Sequence, residues 1–359
     1  MSISKQQTIA ILGYASTHVP VWDPDIVNTG IGGSEEAIIY ACQNLVDRGY
    51  SVTVFANPPP HSRWSLEVAK PRYLHMQHFL QSRQIFDIVI CWRRSDFATA
   101  RTRGRRIFAW YHDMPEQPRP DSYLHDPYLN GTFYLSRYHQ ELFEQVYPTR
   151  RSIPKVIAGN GIVANHIITE LELTTKPRTS CIYISNWARG LELLLQIWPS
   201  IRNTIPSATL DIYYGTQTWG LWTPAKTTMV VKQINEMKHL GVTNHGMVGH
   251  PELDQALIKS SIWTYPCNCG AETYCISAIK AQYWGNIPLT TRPGALTETV
   301  SPEATFVSDL SQYGSHLIRL LTEIQNMSTY DLLQKRRVFI DFAAHHTWAA
   351  CVDKWMTLF

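Results

Sequence analysis

Short apolar runs alternate with amphipathic runs along most of the chain, and the two kinds of run predict strands and helices in turn. In the first half, the runs that predict strands are TIAILGYA, SVTVFAN, FDIVICW, RRIFAWYHD and GTFYLS. GGSEEAIIYACQNLVDRGY lies between the first two and has apolar side chains at helical spacing, at Ala37, Tyr40, Ala41, Leu45 and Val46. This alternation is typical of parallel sheets with helices on both faces.

The second half repeats the rhythm after Val163 to Arg178, a stretch without periodicity that we interpret as a linker. Its predicted strands are SCIYIS, ATLDIYYG, HGMVGH, SIWTYPC and NIPLTT, and one of its predicted helices carries both Glu272 and Lys280. We therefore predict an α/β protein of two Rossmann-like doubly wound domains, residues 1–162 and 163–337, that face a cleft. The last helical stretch, about 338–359, is expected to cross back and complete the first domain.

Composition agrees with this organisation and argues against several functions. A chain of 359 residues with 44% hydrophobic residues is long enough for two cores. Its 32 basic and 29 acidic residues leave a net charge of +3, so overall charge gives no reason to expect a nucleic-acid partner. No run reaches the roughly 20 apolar residues that span a bilayer, and we expect a cytoplasmic protein.

The cysteines predict neither a disulfide framework nor a zinc site, because there are seven of them and none is spaced as Cys-x-x-Cys. Cys267 and Cys269 in YPCNCGAE are interpreted as small side chains at a strand end. We assign no metal to the protein.

The first candidate site is the glycine-rich stretch NTGIGGSEEA, which precedes a predicted helix. Glycines at 30, 32 and 33 let the backbone approach a ligand, and the amide groups of a helix N-terminus attract phosphate. The spacing matches neither Gly-x-x-x-x-Gly-Lys nor Gly-x-Gly-x-x-Gly. The alternative is that Ser34 only caps the helix.

Two further candidates lie at strand ends. In YHDMPEQP, His112 beside Asp113 is suited to orienting or deprotonating an acceptor hydroxyl, although a histidine that is merely hydrogen-bonded at a strand end explains the pattern equally well. In ISNWARGLELL, Arg189 stands at a helix start, where a guanidinium can bind diphosphate oxygens in pairs. The alternative for Arg189 is a solvated side chain.

The fourth candidate is the stretch with Glu272 and Lys280, which are eight residues apart. On one helix this spacing places the two side chains near one face but not in contact.

Taken together, these junctions resemble those of the GT-B glycosyltransferases, in particular the retaining nucleotide-sugar enzymes of glycosyltransferase family four. The stretches that carry the resemblance are IGGSEEAIIYACQNLVDRGYSVTVFAN, NGI at 160–162, NWARGLELLLQIWPSIRNTIPSATLDIYYG, HGMVGHPELDQALIKSSIWTYPC and ETYCISAIKAQYWGNIPLTT. They occur in the family's order and cover nearly the whole chain.

The resemblance implies that a sugar is moved from a nucleotide sugar, UDP- or GDP-linked, to a hydroxyl of a glycan, lipid-linked or small-molecule acceptor. It implies retention of anomeric configuration, with no metal or other cofactor. The implied catalytic residues are Glu272, His112 and Arg189, with His112 and Asp113 on the acceptor side. The implied donor-binding residues are Gly32, Gly33, Ser34, Asn186, Arg189, Glu272, Thr273 and Lys280.

One departure from the family pattern concerns the donor. The family has a second glutamate where this chain has Lys280, and an ammonium group cannot accept hydrogen bonds from ribose hydroxyls. The lysine indicates either an altered donor site or a weakened one. The alternatives to a transferase are therefore a catalytically weak nucleotide-sugar-binding or scaffold protein on the same fold, and a two-domain sugar-nucleotide epimerase.

RRSDFATARTRGRR is a basic run in the predicted acceptor-side domain. We interpret it as a solvated face, with peripheral membrane contact or an anionic acceptor as the alternative. Nucleic acid is not expected, because no interleaved aromatic motif accompanies the run. Its six arginines are Arg93, Arg94, Arg101, Arg103, Arg105 and Arg106.

Overall fold

The structure, a computed structural model, describes residues 6–13, 20–93, 97–118, 126–216, 222–270 and 272–359. The chain divides into two compact units. The first comprises Met1–Ile26, Gly33–Val163 and Thr347–Phe359, and the second comprises Val27–Gly32 and Ala164–His346. The last segment of the first unit therefore begins at Thr347, whereas the sequence predicted that the chain crosses back to the first domain at about residue 338.

Each unit is built on one parallel sheet. The strands of the first are β1 (Thr8–Leu12), β2 (Ser51–Ala56), β3 (Arg72–His75), β4 (Phe86–Trp92), β5 (Gly104–Trp110), β6 (Gly131–Tyr134) and β7 (Lys155–Ile157). The strands of the second are β8 (Ser180–Tyr183), β9 (Thr209–Tyr213), β10 (Val242–Gly246), β11 (Ile262–Tyr265), β12 (Ile287–Thr290) and β13 (Thr305–Phe306).

The strand orders are β3-β2-β1-β4-β5-β6-β7 in the first sheet and β10-β9-β8-β11-β12-β13 in the second. In both sheets the chain first builds outward on one side and then continues on the other, which is the doubly wound arrangement. The order reverses between β1 and β4 and between β8 and β11, and ligands of such sheets bind beyond the carboxyl ends of the strands at this reversal. The sequence prediction of two doubly wound domains is confirmed.

The helices are α1 (Gly33–Asp47), α2 (Met76–Gln81), α3 (Phe97–Arg101), α4 (Arg137–Val146), α5 (Glu170–Thr174), α6 (Leu191–Thr204), α7 (Pro224–Glu236), α8 (His250–Ile258), α9 (Ile276–Tyr283), α10 (Leu296–Thr299), α11 (Tyr313–Asn326), α12 (Thr329–Ala344) and α13 (Trp348–Met356). The helices up to α10 lie between strands in chain order, and the last three follow β13.

The final helix packs into the first unit through aromatic contacts. The Trp355 ring stacks on Phe133 with centroids 4.7 Å apart and meets Trp110 edge-on at 4.5 Å. On the opposite side of the helix, Arg48 at the end of α1 forms an ion pair of 2.6 Å with Asp353. The C-terminal segment is thus part of the first unit's core.

Several predicted elements differ from the structure. The edge strands β3 and β13 have only four and two residues, which is too short for an alternating pattern to be recognised. The stretch HGMVGH was predicted as a strand, but β10 ends at Gly246 and the rest of the stretch is a loop and the start of α8. The last helical stretch is two helices, because α12 ends at Ala344 and Thr347 caps α13.

Candidate functional site

The loops that follow β8 and β11 meet at the order reversal of the second sheet. The first of these loops carries Asn186 and Arg189, and the second carries Glu272. Both sets were predicted from sequence as donor-site residues. The structure brings Arg189 and Glu272 into direct contact, with Arg189 Nη1 donating to Glu272 Oε2 at 2.6 Å.

Hydrogen bonds and a close backbone contact hold the loop after β8. The Tyr183 hydroxyl donates to the Asn186 carbonyl at 2.7 Å, and the Asn186 side chain accepts from the amide of Ala188 at 2.9 Å. The 3₁₀ turn that ends at Arg189 is closed by Gly190 at φ 114°. A Cβ on Gly190 would lie 2.0 Å from the carbonyl oxygen of Pro266, so only glycine lets the two loops come this close.

Glu272 is buried and receives a second hydrogen bond, from the Tyr265 hydroxyl at 3.0 Å. Burial would lower the pKa of Arg189, but its electrostatic interactions with Glu272, Tyr265 and Cys269 outweigh burial and raise it. The pKa of Tyr265 is raised well above its ordinary value by burial and by Glu272, so the phenol stays a donor. The site is a buried carboxylate flanked by one cation and one hydroxyl.

The prediction that one helix carries both Glu272 and Lys280 is wrong. The helix α9 begins at Ile276, and Glu272 lies in the loop before it. Its carbonyl accepts from the Ala295 amide at 2.8 Å, a contact that holds this backbone outside the helix. Thr273 is in the same loop, half-buried. The argument from helical spacing therefore does not apply to this pair of residues.

Lys280 has different surroundings from Glu272. It lies in the last turn of α9, half-buried, with Nζ 3.4 Å from Nε2 of His250 at the start of α8. His250 was not singled out from the sequence. No feature of the sequence marks it, since Lys280 and His250 are thirty residues apart and meet only because α8 and α9 flank the same strand, β11.

The glycine-rich stretch divides between the units. Gly32 belongs with the second unit, whereas Gly33 and Ser34 begin α1 in the first. Within the second unit, Gly249 packs so closely on this stretch that a Cβ would lie 2.1 Å from the carbonyl oxygen of Asn28. A role for Gly32, Gly33 and Ser34 in binding a donor stays a prediction.

A second polar cluster lies at the carboxyl edge of the first sheet. Arg93 follows β4 directly and donates two hydrogen bonds of 2.6 Å to the carboxylate of Asp113, which follows β5. Glu35, in the first turn of α1, lies 3.6 Å from the same guanidinium. Arg93 has φ 65°, an uncommon conformation for a residue other than glycine, which the two carboxylates help to hold. The sequence analysis did not pair Arg93 with Asp113. The two residues follow β4 and β5, and the carboxyl ends of these neighbouring parallel strands lie side by side.

His112 lies beside this cluster and is buried. Its ring meets that of Trp110 at 4.6 Å and that of Trp92 at 5.9 Å, both edge-on. Burial, followed by the charge of Arg93, holds the pKa of His112 well below its ordinary value, so the imidazole is neutral. The structure thus places His112 and Asp113 at one strand end, as expected from the sequence.

The basic run is not one continuous face over its described part. Arg93 lies at the carboxyl edge of the first sheet, whereas Arg105 lies at the amino edge, where it pairs with Asp87 at 3.7 Å. Arg101 covers the Tyr128 ring, and Arg103 donates to the Ser82 carbonyl. Arg93 follows the end of β4, whereas Arg105 lies near the start of β5. Because β4 and β5 run parallel, these two positions are at opposite edges of the sheet. Arg94 lies outside the described residues.

No group of three or more histidine, cysteine or acidic side chains in the described part of the chain could hold a metal ion. Its helices also include none that is long and apolar enough to cross a membrane.

No protein-family model and no curated protein matches the sequence. Solved structures are similar over nearly the whole chain. A sucrose-phosphate synthase from Thermosynechococcus elongatus is 16% identical with a TM-score of 0.69, covering 98% of both chains. A glycosyltransferase from Rickettsia africae is 12% identical with a TM-score of 0.73, covering 98% of this chain and 97% of that one. Anabaena HepE, in complex with UDP and glucose, is 12% identical with a TM-score of 0.67, covering 98% of both. At such identities the likeness shows the fold.

Proposed function

Because the chain has the GT-B fold, we propose that it is a glycosyltransferase that moves a sugar from a nucleotide sugar to a hydroxyl acceptor with retention of configuration. The observation that carries the proposal is the contact of Arg189 with the buried Glu272 at the order reversal of the second sheet. A cation and a carboxylate side by side suit the two halves of the donor, a diphosphate and a sugar.

Arg189 is proposed to bind the diphosphate. A guanidinium has five N–H donors, and Glu272 takes one of the two on Nη1, so others remain for phosphate oxygens. The amide groups at the start of α6, two residues further on, add positive potential. These groups stabilise the charge that develops on the leaving nucleoside diphosphate, which supports a mechanism that does not depend on a metal.

Glu272 is proposed to bind the hydroxyls of the donor sugar. Its Oε2 is already the acceptor for Arg189 and for Tyr265, which leaves the second carboxylate oxygen to accept from a sugar. On the acceptor side, the neutral His112 ring is suited to accepting a hydrogen bond from an acceptor hydroxyl and so orienting it, and Asp113 is fixed by Arg93. Of the basic run, the exposed Arg101 and Arg105 are the candidates for contact with an anionic acceptor or headgroup.

A second candidate function is nucleotide-sugar binding with weak or no transfer. Lys280 favours it, because its neighbour is the His250 ring and its ammonium group cannot accept from a ribose. UDP or GDP is the expected nucleotide in both cases, and HepE supplies one neighbour that binds UDP.

Thermal unfolding in the presence of nucleotides tests the donor site. UDP or GDP should raise the melting temperature, because a ligand that binds only the folded state stabilises it. Arg189→Ala should abolish this shift. The matched control is Arg337→Ala, which removes a half-exposed arginine of the same unit that pairs with Glu170 at 3.1 Å and should leave the shift unchanged. An undiminished shift in Arg189→Ala would refute the assignment.

Turnover separates the two candidate functions. A panel of UDP- and GDP-sugars is incubated with glycan and small-molecule hydroxyl acceptors, with and without a chelator, and release of nucleoside diphosphate is measured. Release that persists with the chelator supports the transferase. Nucleotide binding without release from any donor supports the weak binder, and loss of release on chelation refutes the metal-independent mechanism.

A further inference from the structure

Two thiols lie against each other beside the proposed donor site. Cys267 and Cys269 are separated by one residue, and their Sγ atoms are 3.2 Å apart. No disulfide joins them in the structure. They precede Glu272 in the loop after β11. Burial lowers the pKa of Arg189, whereas Glu272, Tyr265 and, more weakly, Cys269 raise it, so Cys269 lies close enough to interact with the guanidinium.

The two cysteines differ in how they are held. Cys267 is buried; its amide donates to the Tyr265 carbonyl at 2.8 Å, and its own carbonyl accepts from the Thr291 hydroxyl at 2.7 Å. Cys269 is partly exposed, and a Cβ added to the following Gly270 would meet no described atom within 4 Å. One thiol is therefore fixed at the strand end, and the other is on an accessible stretch with room to move.

We propose that Cys267 and Cys269 form a redox-active dithiol, which low-molecular-weight disulfides oxidise to an intramolecular disulfide that alters the Arg189–Glu272 site. The Cys269 thiolate attacks one sulfur of the small disulfide, forming a mixed disulfide and expelling a thiolate. Cys267 then loses its proton and attacks Cys269 Sγ, expelling the second thiolate. Two protein thiols are oxidised, and one small disulfide is reduced to two thiols.

The electrostatics favour this order of attack. The pKa of Cys267 is raised, first by its hydrogen bond with Cys269 and then by burial, so Cys267 is a poor first nucleophile. A thiolate on Cys269 is stabilised by the nearby guanidinium of Arg189. The partly exposed Cys269 is thus the one that reacts with the oxidant, and the buried Cys267 resolves the mixed disulfide.

Closing the bond has a structural consequence for Glu272. A disulfide requires about 2 Å between the sulfurs, so the thiols must approach by roughly a further 1 Å. The backbone of Cys267 is held by its hydrogen bonds, which leaves the movement to Cys269, three residues before Glu272. The expected result is a weaker Arg189–Glu272 contact and weaker nucleotide binding. This consequence rests on the proposed function, whereas formation of the disulfide does not.

The chemical half of the proposal is tested by mass spectrometry. The full chain is incubated with oxidised glutathione, remaining thiols are alkylated, and the protein is digested with trypsin. Residues 260–280 form one peptide that contains Cys267, Cys269 and Cys275. We expect this peptide to lose two hydrogens and to carry one alkyl group, on Cys275. Alkylation of all three cysteines, or a bond to Cys275, would overturn the proposal.

Three serine variants localise the bond. Cys267→Ser and Cys269→Ser should each prevent it. Cys275→Ser is the matched control, because Cys275 lies in the same segment with its Sγ 3.2 Å from the Ser277 hydroxyl, and it should oxidise like the unmodified protein. Loss of the bond in Cys275→Ser alone would contradict the assignment.

The functional half is tested by comparing the UDP- and GDP-induced melting shifts of reduced and oxidised protein. Oxidation should reduce the shift at a fixed nucleotide concentration, dithiothreitol should restore it, and Cys269→Ser should not respond. Equal shifts in both states would overturn the regulatory effect. A reduced protein that shows no shift would refute the proposed function and this regulatory effect together, while the mapped peptide still decides whether the dithiol exists.

Discussion

His139, at the residue scale, shows how burial fixes the protonation state of a side chain in the first unit. The residue is fully buried in α4, its Nδ1 lies 3.4 Å from the Leu135 amide and its Nε2 lies 2.9 Å from the Asp113 carbonyl. A neutral ring with the proton on Nε2 satisfies both contacts, whereas a second proton would break the first. The Asp113 carbonyl that this ring contacts belongs to the proposed acceptor side.

We predict that His139 makes the first unit less stable in mild acid. Burial lowers the pKa of His139 to about 4, from an ordinary value of 6.5. The unfolded chain therefore binds a proton below pH 6.5 that the folded chain refuses, so the free energy of unfolding falls as the pH drops from 6.5 and levels off near pH 4. The full loss is about 3 kcal/mol.

Urea unfolding at several pH values between 7 and 4 measures this effect. His139→Gln keeps a hydrogen-bonding side chain that does not titrate, so its stability should fall less over this range. Arg137→Gln changes a neighbouring exposed position of the same helix and should keep the unmodified dependence. Parallel curves for the unmodified protein and His139→Gln would contradict the prediction.

At the element scale, the loop between β8 and α6 decides where Arg189 points. Trp187 anchors the loop by donating its indole N–H to the Tyr213 carbonyl at 3.3 Å, and Gly190 lets the chain turn sharply into α6. Sequence reasoning identified the arginine as a candidate, but the direction of its side chain depends on this turn and on the contact with Pro266.

We predict that Gly190→Ala destabilises the second unit by more than about 2 kcal/mol, since alanine is strained at φ 114° and its Cβ meets the Pro266 carbonyl. The nucleotide-induced melting shift should also decrease. Gly314→Ala is the control, because a Cβ in that helix makes only ordinary contacts with Ile197, at 3.6 Å or more, and alanine favours a helix. Equal stability of both variants would show that the loop relaxes.

At the scale of the whole molecule, the first unit contains both ends of the chain. Residues 347–359 belong to it, although Ala164–His346, which separates them in sequence from Gly33–Val163, belongs to the second unit. Their main contribution is Trp355, which is fully buried against Trp110 and Phe133. The first unit is therefore complete only after the entire second unit has been synthesised.

We predict that Trp355→Ala costs about 3–5 kcal/mol and weakens the first unit selectively. Hydrogen exchange followed by mass spectrometry, with peptides assigned to each unit, measures the effect. Exchange should accelerate in β5 and β6 and stay unchanged in β8 and β11. Tyr330→Ala, at a position that is 70% exposed in α12, should alter neither unit. Uniform acceleration in both units would show that they unfold together.

The sequence by itself determined the architecture, because buried parallel strands require continuous apolar runs and the helices between them require apolar side chains at helical spacing. FDIVICW and SIWTYPC are examples, and both became strands next to an order reversal. Glycines before helix starts and polar residues after strands likewise marked Arg189, Glu272, His112 and Asp113 as candidates. These features are local in sequence, so they can be recognised without coordinates.

Only the tertiary structure decided which candidates meet. Arg189 and Glu272 are 83 residues apart and touch because β8 and β11 are neighbours, while the Glu272 backbone is held outside α9 by Ala295. The same applies to Arg93 with Asp113, to Lys280 with His250, and to the two thiols beside Arg189. Such contacts depend on strand order and loop direction, which are set by long-range packing and not by the pattern of any single segment.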